Sequence, residues 1–232
     1  MSPYAADTHE RARIAVDLAV LTVVDADLKA FLVKRDAHPF KHLWALPGGF
    51  VGAGRGTQLG EDLSQAAQRS LCEATGLPSG SCILSQLQTF GRSGRDPRGR
   101  TISVAWTALV PPDRAALLSG SGSEAGWFSC AEEVPWMRLA FDHADILQAA
   151  IDRMRTDIEH TDLAFALVPS TFTVGELRDV YEAVKGSKHD ARNFRRRFQR
   201  LIAGEQVEEA PGRRHLGRAR PAKVWRFKHN LQ

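Results

Sequence analysis

The chain has 232 residues, of which 43% are hydrophobic and 25% charged, a balance close to that of average globular proteins. This composition excludes an intrinsically disordered chain, and no apolar run approaches the roughly 20 residues of a membrane-spanning helix. The first residues are polar and charged, and the three cysteines lack zinc-type spacing. We therefore expect a cytoplasmic protein with reduced thiols, no secretory signal and no membrane partner.

The charge is unevenly distributed along the chain. The net charge is +4, yet residues 171–232 contain 15 Lys and Arg against seven Asp and Glu, whereas residues 1–170 contain 16 against 20. A basic C-terminal quarter on a mildly acidic body indicates an anionic partner for that quarter, with nucleic acid as the first candidate.

The apolar patterns of residues 10–160 predict strands and helices that pack as layers. Two long strands flank the turn residues Asp25-Ala26-Asp27, and Gly76 is a natural end for the first helix. The predicted strands are 14–24, 28–35, 44–46, 82–90, 101–110 and 126–128, and the predicted helices are 61–75 and 142–160, with a glycine-rich loop at 52–60. Mixed strands with helices laid on them predict an α/β or α+β sandwich with a mixed sheet.

A second unit is predicted to begin near Pro169. Thr173 and Glu176 form a capping-box pattern that opens one helix, and Asp190 is a candidate N-cap for a second helix that ends before Gly204. Two short strands around a basic loop follow, which completes the pattern of a winged helix-turn-helix. We therefore expect two domains, residues 1–165 and residues 166–232.

The second of these helices, residues 190–203, has an apolar stripe and a cationic face. Residues 191–204 contain five arginines and no acid, whereas a merely solvated face normally mixes both signs. The forked Arg side chain suits phosphate and guanine, and Asn suits adenine. The predicted DNA contacts of the helix and the basic loop are Arg192, Asn193, Arg195, Arg196, Arg197, Arg200, Arg214, Arg218 and Arg220. A basic helix alone does not separate DNA from RNA, and the basic loop has a simply solvated hairpin as its alternative.

The stretch from Gly49 to Leu77 resembles the Nudix box, whose helical carboxylates hold Mg²⁺ on a diphosphate. Eleven residues separate Gly49 from Glu61, six more than the pattern has, and the spacing onward to Arg69 and Glu73 is normal. Ser70 and Ala74, however, stand where the family has glutamates. We predict no metal site, no catalytic residues and little or no hydrolysis. An amphipathic packing helix is the alternative reading.

Segments on both sides of the box resemble the nucleotide pocket of the same family. Arginines suit a diphosphate and an aromatic ring can stack on adenine. The predicted ligand-binding residues are Arg35, Trp44, Gly48, Gly49, Phe50, Glu73, Arg98 and Arg100. Ordinary packing is the alternative for Trp44 and Phe50, a solvated loop is the alternative for the two arginines of the 91–100 loop, and His143 is expected to be structural.

The combination of both units resembles the Nudix-related transcriptional regulators of NAD metabolism. The matching segments are 46–50, 96–100, 141–145, 172–177, 180–184, 192–196 and 220–227, so the resemblance spans about residues 12–228. It implies a bacterial repressor that binds palindromic operator DNA near NAD biosynthesis or salvage genes as a homodimer. ADP-ribose or another NAD-related nucleotide would be the effector, and no cofactor would be required. An active ADP-ribose or nucleoside-diphosphate hydrolase with a basic tail, and an RNA-binding module, are the competing hypotheses.

Overall fold

A computed structural model describes residues 11–54, 60–118, 124–214 and 221–228. Across these ranges, no helix is both long enough and apolar enough to cross a membrane. The predicted strands and helices are present, and their ends differ from the predicted ends by no more than three residues. Only part of the predicted glycine-rich loop is covered, because residues 55–59 lie outside the described ranges.

A seven-stranded mixed sheet forms the first unit. Its strands are β1 (Arg13–Val24), β2 (Asp27–Lys34), β3 (Trp44–Ala45), β4 (Gly48–Phe50), β5 (Ile83–Phe90), β6 (Thr101–Leu109) and β7 (Ala125–Ser129). The strands run in the order β3-β2-β1-β6-β5, with β4 also paired to β1 and β7 also paired to β2. Among the described strands of this sheet, β1 and β6 pair in parallel and the other pairs are antiparallel.

Strand β1 lies at the centre of the sheet and is buried on both faces. Val16, Leu18 and Val20 point to one side, and Ala19, Leu21 and Val23 point to the other. The β1–β2 hairpin closes at Asp25 and Ala26, whose φ angles are 55° and 59°. Two successive positive φ values are typical of the tight turn that matches strand twist. The hairpin predicted from the turn residues is therefore confirmed.

Helices cover both faces of this sheet. Helix α1 (Leu63–Thr75) packs on one face through Ala66, Ala67 and Leu71, and α3 (His143–Asp157) packs on the other. The short α2 (Pro112–Ala115) and the 3-10 turns Val134–Trp136 and Asp162–Leu167 complete the unit. Helix α1 ends at Gly76, with φ 74°. Because two helical layers enclose one mixed sheet, the predicted sandwich is confirmed.

The second unit has the predicted winged helix-turn-helix order: α4 (Val174–Lys185), α5 (Ala191–Ala203), β8 (Val207–Arg214) and β9 (Ala222–Phe227). Thr173 and Glu176 form the reciprocal capping box, with backbone-to-side-chain distances of 2.6 and 3.2 Å. The Asp190 carboxylate accepts the N–H of Asn193 at 2.8 Å. Both predicted N-caps are therefore confirmed, because caps depend on residues that are close in sequence.

The two units share one apolar core on the α3 side of the sheet. Phe165 of the second 3-10 turn stacks on Phe227 of β9 at 4.3 Å between ring centroids and contacts Phe172 at 5.7 Å. The same cluster includes Ile151 and Met154 of α3 and Leu177 of α4. The winged helix therefore packs directly on α3.

Candidate ligand pocket and nucleic-acid interface

A cavity of about 200 Å³ opens where the ends of β1, β4 and β6 meet the start of α3. Five of the eight predicted ligand-binding residues line it: Arg35, Gly48, Gly49, Phe50 and Arg98. Ligand pockets are typically somewhat larger, about 300–1,000 Å³, so the enclosed part can hold only a portion of a drug-sized ligand.

The cationic groups of this pocket lie over aromatic rings. The Arg35 guanidinium carbon lies 4.8 Å from the Phe141 ring centroid, and that of Arg98 lies 5.5 Å from Phe141 and 5.2 Å from Phe50. Burial lowers the pKa of Arg35, and the nearby charge of Arg98 lowers it further. Two like charges stacked on one ring repel each other, so an anion placed between them would be stabilised.

Asp96 fixes the orientation of Arg98. Its buried carboxylate accepts the backbone N–H of Arg98 at 2.9 Å and the guanidinium at 2.8–3.2 Å. Burial opposes ionisation of Asp96, but these bonds from Arg98 lower the pKa of its carboxyl below the ordinary value. Arg98 is therefore held in place before any ligand arrives, which reduces the entropy lost on binding.

Part of the pocket lining is a buried charged cluster that the sequence did not reveal, to which Asp17 and Arg95 belong. Arg95 contacts the Asp142 carboxylate at 2.6 and 2.8 Å and Asp17 of β1 at 3.0 Å, and Ser103 donates to Asp17 at 2.6 Å. Burial raises the pKa of Asp17, but His143, Ser103 and Arg95 together lower it well below its ordinary value. The acid inside the apolar run of β1 was the available signal, because a charge buried in a strand requires a partner.

His143, expected to be structural, opens α3 and also lines the cavity. It is buried, and its Nδ1 accepts the N–H of Leu46 at 2.8 Å. Its Nε2 lies 3.4 Å from the Asp17 carboxylate. Asp142 is the N-cap residue of α3, yet its side chain binds Arg95 rather than a helix N–H.

The other three predicted ligand residues do not line this cavity, and their role in ligand binding stays a prediction. Trp44 packs edge-on against Phe128 at 4.6 Å, which is the packing alternative. Glu73 lies on the exposed face of α1, 3.1 Å from Arg69. Arg100 turns away to donate to the Gly91 carbonyl at 2.6 Å, because that bond holds the ends of its own loop together.

In the Nudix-like segment, one guanidinium binds the two remaining box carboxylates. Arg69 contacts Glu61 at 2.7 Å, Glu73 at 3.1 Å and the Phe50 carbonyl at 3.0 Å. The bonds from Arg69 and from the Gly52 N–H lower the pKa of Glu61 to about 2. Ser70 is buried beneath Gly49, and a Cβ added to that glycine would come within 3.3 Å of the Ser70 hydroxyl.

This donor set does not fit the Mg²⁺ that a Nudix box implies. Mg²⁺ requires oxygen ligands in a tight octahedron, yet Ser70 and Ala74 supply no carboxylate and Arg69 neutralises Glu61 and Glu73. Among the residues that the structure describes, no three His, Cys, Asp or Glu side chains converge as a metal-binding group.

The exposed face of α5 is cationic. Arg192, Arg195, Arg196 and Arg200 are exposed together with Asn193, whereas Phe194 and Phe198 are buried. Within the described ranges, none of these four arginines has an acidic side chain within ion-pairing distance. A groove of about 1010 Å³ separates this face from the wing, which comprises β8 and β9. The groove is lined by Arg195 and Gln199 of α5 and by Arg213 and Lys223 of the wing.

Two of the arginines predicted to contact DNA bind acidic side chains of the protein itself, and their contact with DNA stays a prediction. Arg197 binds the Glu159 carboxylate and donates to the Tyr181 hydroxyl at 3.0 Å. Arg214 binds Glu176 at 2.5 and 2.7 Å and the Thr171 carbonyl at 2.9 Å. Both satisfy acids from distant elements, which helical position alone does not reveal. The predicted contacts Arg218 and Arg220 lie outside the described residues.

The fold and the two surfaces define a nucleotide-pocket domain joined to a DNA-binding winged helix. Family models agree: the NUDIX domain matches residues 14–150, and the NrtR DNA-binding winged helix domain matches residues 164–227. The chain belongs to the Nudix family, in its branch with an NrtR winged helix domain.

Relatives of several kinds are similar to this chain. It is 34% identical over 227 residues to the ADPR responsive transcriptional repressor NtrR of Acinetobacter baylyi, covering 98% of this chain and 86% of that protein. It is 34% identical over 132 residues to an ADP-ribose pyrophosphatase of Methanocaldococcus jannaschii, covering 56% of this chain and 70% of that protein.

Two solved structures of a Shewanella oneidensis protein are also similar to this chain. Shewanella oneidensis NrtR complexed with a 27mer DNA matches with a TM-score of 0.76 and 32% identity, covering 93% of each chain. The NUDIX domain of the same protein complexed with ADP ribose matches with a TM-score of 0.50 and 32% identity, covering 65% of this chain and 94% of that one.

Replacing Arg196 by Ala is expected to weaken DNA binding by roughly 1–3 kcal/mol and to relax specificity at one base position, because an Arg that reads a base edge is lost. Arg92→Ala is the control, since it removes an exposed positive charge from the body, and it should leave binding unchanged. Anisotropy titrations against a set of point-mutated DNA sites measure both effects. A uniform loss across all sites, with a smaller salt slope, would assign Arg196 to phosphate contact only.

Proposed function

We propose that this protein is a transcriptional repressor that binds operator DNA through α5 and the wing and releases it when ADP-ribose occupies the pocket. The observation that carries this proposal is the face of four exposed arginines on α5, on the same chain as a pocket whose arginines stack on Phe141. The repressor of Acinetobacter baylyi and the DNA and ADP ribose complexes of the Shewanella protein support it.

The finer parts of the proposal rest on the resemblance to the Nudix-related regulators of NAD metabolism. Residues 1–165 sense the ligand and residues 166–232 bind DNA, in the cytoplasm at the bacterial nucleoid. Each chain offers one α5 face, so a homodimer on a palindromic operator would double the contacts. Genes of NAD biosynthesis or salvage are the proposed targets, the effector is ADP-ribose or a related nucleotide, and no cofactor is required.

Titrating ADP-ribose into the protein bound to fluorescent DNA from upstream of NAD biosynthesis genes should release that DNA at fixed salt. Arg98→Ala should require at least about 10-fold more ADP-ribose, because a charge-assisted hydrogen bond contributes about 1.5–3 kcal/mol. The control Arg153→Gln, which removes an exposed charge paired with Asp157, should respond as the wild type does. Specific DNA binding that ADP-ribose leaves unchanged would contradict ADP-ribose as the effector, and equal affinity for random DNA would contradict the regulator itself.

Hydrolysis of ADP-ribose is the second candidate function, and the similarity to the Methanocaldococcus pyrophosphatase favours it. The chemistry of the box opposes it. The helix lacks carboxylates at Ser70 and Ala74, and Arg69 binds Glu61 and Glu73. A guanidinium bound to both acids leaves little negative charge to attract a divalent cation.

AMP release from ADP-ribose in the presence of Mg²⁺ or Mn²⁺ is therefore expected to be negligible over the time of a DNA-binding experiment. The double variant Glu61→Gln, Glu73→Gln is the informative comparison, because it removes both remaining acids of the box. Wild type and variant should release AMP at the same background rate, measured by chromatography. Rapid release by the wild type that the variant abolishes would make the protein an enzyme.

A further inference from the structure

We propose that α3 transmits ligand binding to the DNA-binding helix, and that Arg197 is the positioning residue that attaches α5 to it. This inference rests on the proposed function and names the mechanical path for it. Arg197 lies on α5, yet its side chain points away from the cationic face of that helix and toward the end of α3.

The N-terminal end of α3 is part of the pocket. Phe141, which contacts both Arg35 and Arg98, precedes Asp142 and His143, the first residues of the helix region. Arg95 binds Asp142 and His143 binds the backbone of Leu46. The start of α3 is therefore fixed by groups that lie in or under the ligand cavity.

Phe141 is the residue whose backbone conformation is most able to change when a ligand enters the pocket. Its φ is 54°, a left-handed conformation that is costly for a bulky side chain. Its ring contacts Phe40 at 4.8 Å as well as the two pocket arginines. Arg98 is held by Asp96, whereas an anion that binds Arg35 draws its guanidinium away from the Phe141 ring. Because Phe141 directly precedes the start of α3, a change in its backbone is passed to the first turn of that helix.

Helix α3 is suited to carry a displacement from one end to the other. Its 15 residues span about 22 Å, and the sequence between His143 and Asp157 contains neither Gly nor Pro, so no kink site is present. Ile146, Ala150 and Met154 are fully or almost fully buried in the shared core. A packed helix of this kind shifts as a unit rather than bending.

The C-terminal end of α3 is attached to both helices of the winged helix. Arg197 of α5 binds the carboxylate of Glu159, which lies in the turn directly after α3, and donates to its carbonyl at 3.0 Å. The Arg197 guanidinium lies 4.4 Å from the Tyr181 ring centroid of α4. Arg155 donates to the Val184 carbonyl at 3.2 Å. Burial raises the pKa of Glu159, but Arg197 lowers it below the ordinary value, so the pair is ionised.

The attachment depends on the forked shape of the Arg197 guanidinium, which fixes the orientation of α5 relative to the end of α3. One guanidinium reaches a carboxylate, a backbone carbonyl and a phenol hydroxyl at once. Lysine has a single ammonium on a flexible stem and cannot hold all three. Arg197→Lys therefore keeps the charge of α5 but loosens its link to α3, which separates positioning from electrostatic attraction to DNA.

The test compares the wild type, two attachment variants (Arg197→Lys and Glu159→Gln) and the control Arg153→Gln. Arg153 forms an exposed ion pair with Asp157, and both residues lie on α3, so this pair does not link α3 to α5. The measured quantity is the ratio of DNA dissociation constants with and without saturating ADP-ribose. Allosteric ratios are typically about 5–150. We expect the two attachment variants to fall to within about twofold of one, while Arg153→Gln keeps the wild-type ratio.

A second readout does not require DNA. Hydrogen exchange of the α5 amides should change when ADP-ribose is added to the wild type and to Arg153→Gln, but not to Arg197→Lys or Glu159→Gln. ADP-ribose affinity without DNA serves as the folding control for each variant. A wild-type response that persists undiminished in both attachment variants would overturn the inference alone, and a wild type with neither response would overturn the proposed function with it.

Discussion

The structure depends on one buried guanidinium, that of Arg95, which joins the middle of the sheet to the start of α3. It is 7% exposed and binds Asp17 of β1 and Asp142 together. Removing one partner from such a buried pair typically costs about 3–5 kcal/mol, because an uncompensated charge remains. The expense of burying these charges is consistent with a role in orientation: the cluster sets where Phe141 and His143 stand, and therefore the shape of the pocket.

The Nudix framework is retained while its metal chemistry is not supported. Arg69 takes a position among Glu61, Glu73 and the Phe50 carbonyl, so a fixed cation of the protein binds the acids that a metal would otherwise need. The pocket keeps its own arginines over Phe141 and Phe50. The proposed absence of hydrolysis would suit a sensor, because a protein that hydrolysed its signal quickly would erase it.

The sequence predicted most of the fold and only part of the site, for identifiable reasons. Caps and turns such as Thr173, Asp190 and Asp25-Ala26 follow from neighbours within a few residues, so local patterns located them correctly. Arg197 and Arg95 could not be assigned in this way. Their partners lie 38 and 47–78 residues away in sequence, and helical position alone treats every arginine of α5 as a DNA contact.

The central claim is that one free energy couples the pocket to the DNA-binding face. Coupling of this kind is reciprocal, so the most direct measurement is the affinity of ADP-ribose, by calorimetry, for the free protein and for the protein saturated with its operator DNA. DNA is expected to weaken ADP-ribose binding by the same factor by which ADP-ribose weakens DNA binding. An ADP-ribose affinity that is identical with and without DNA would contradict it.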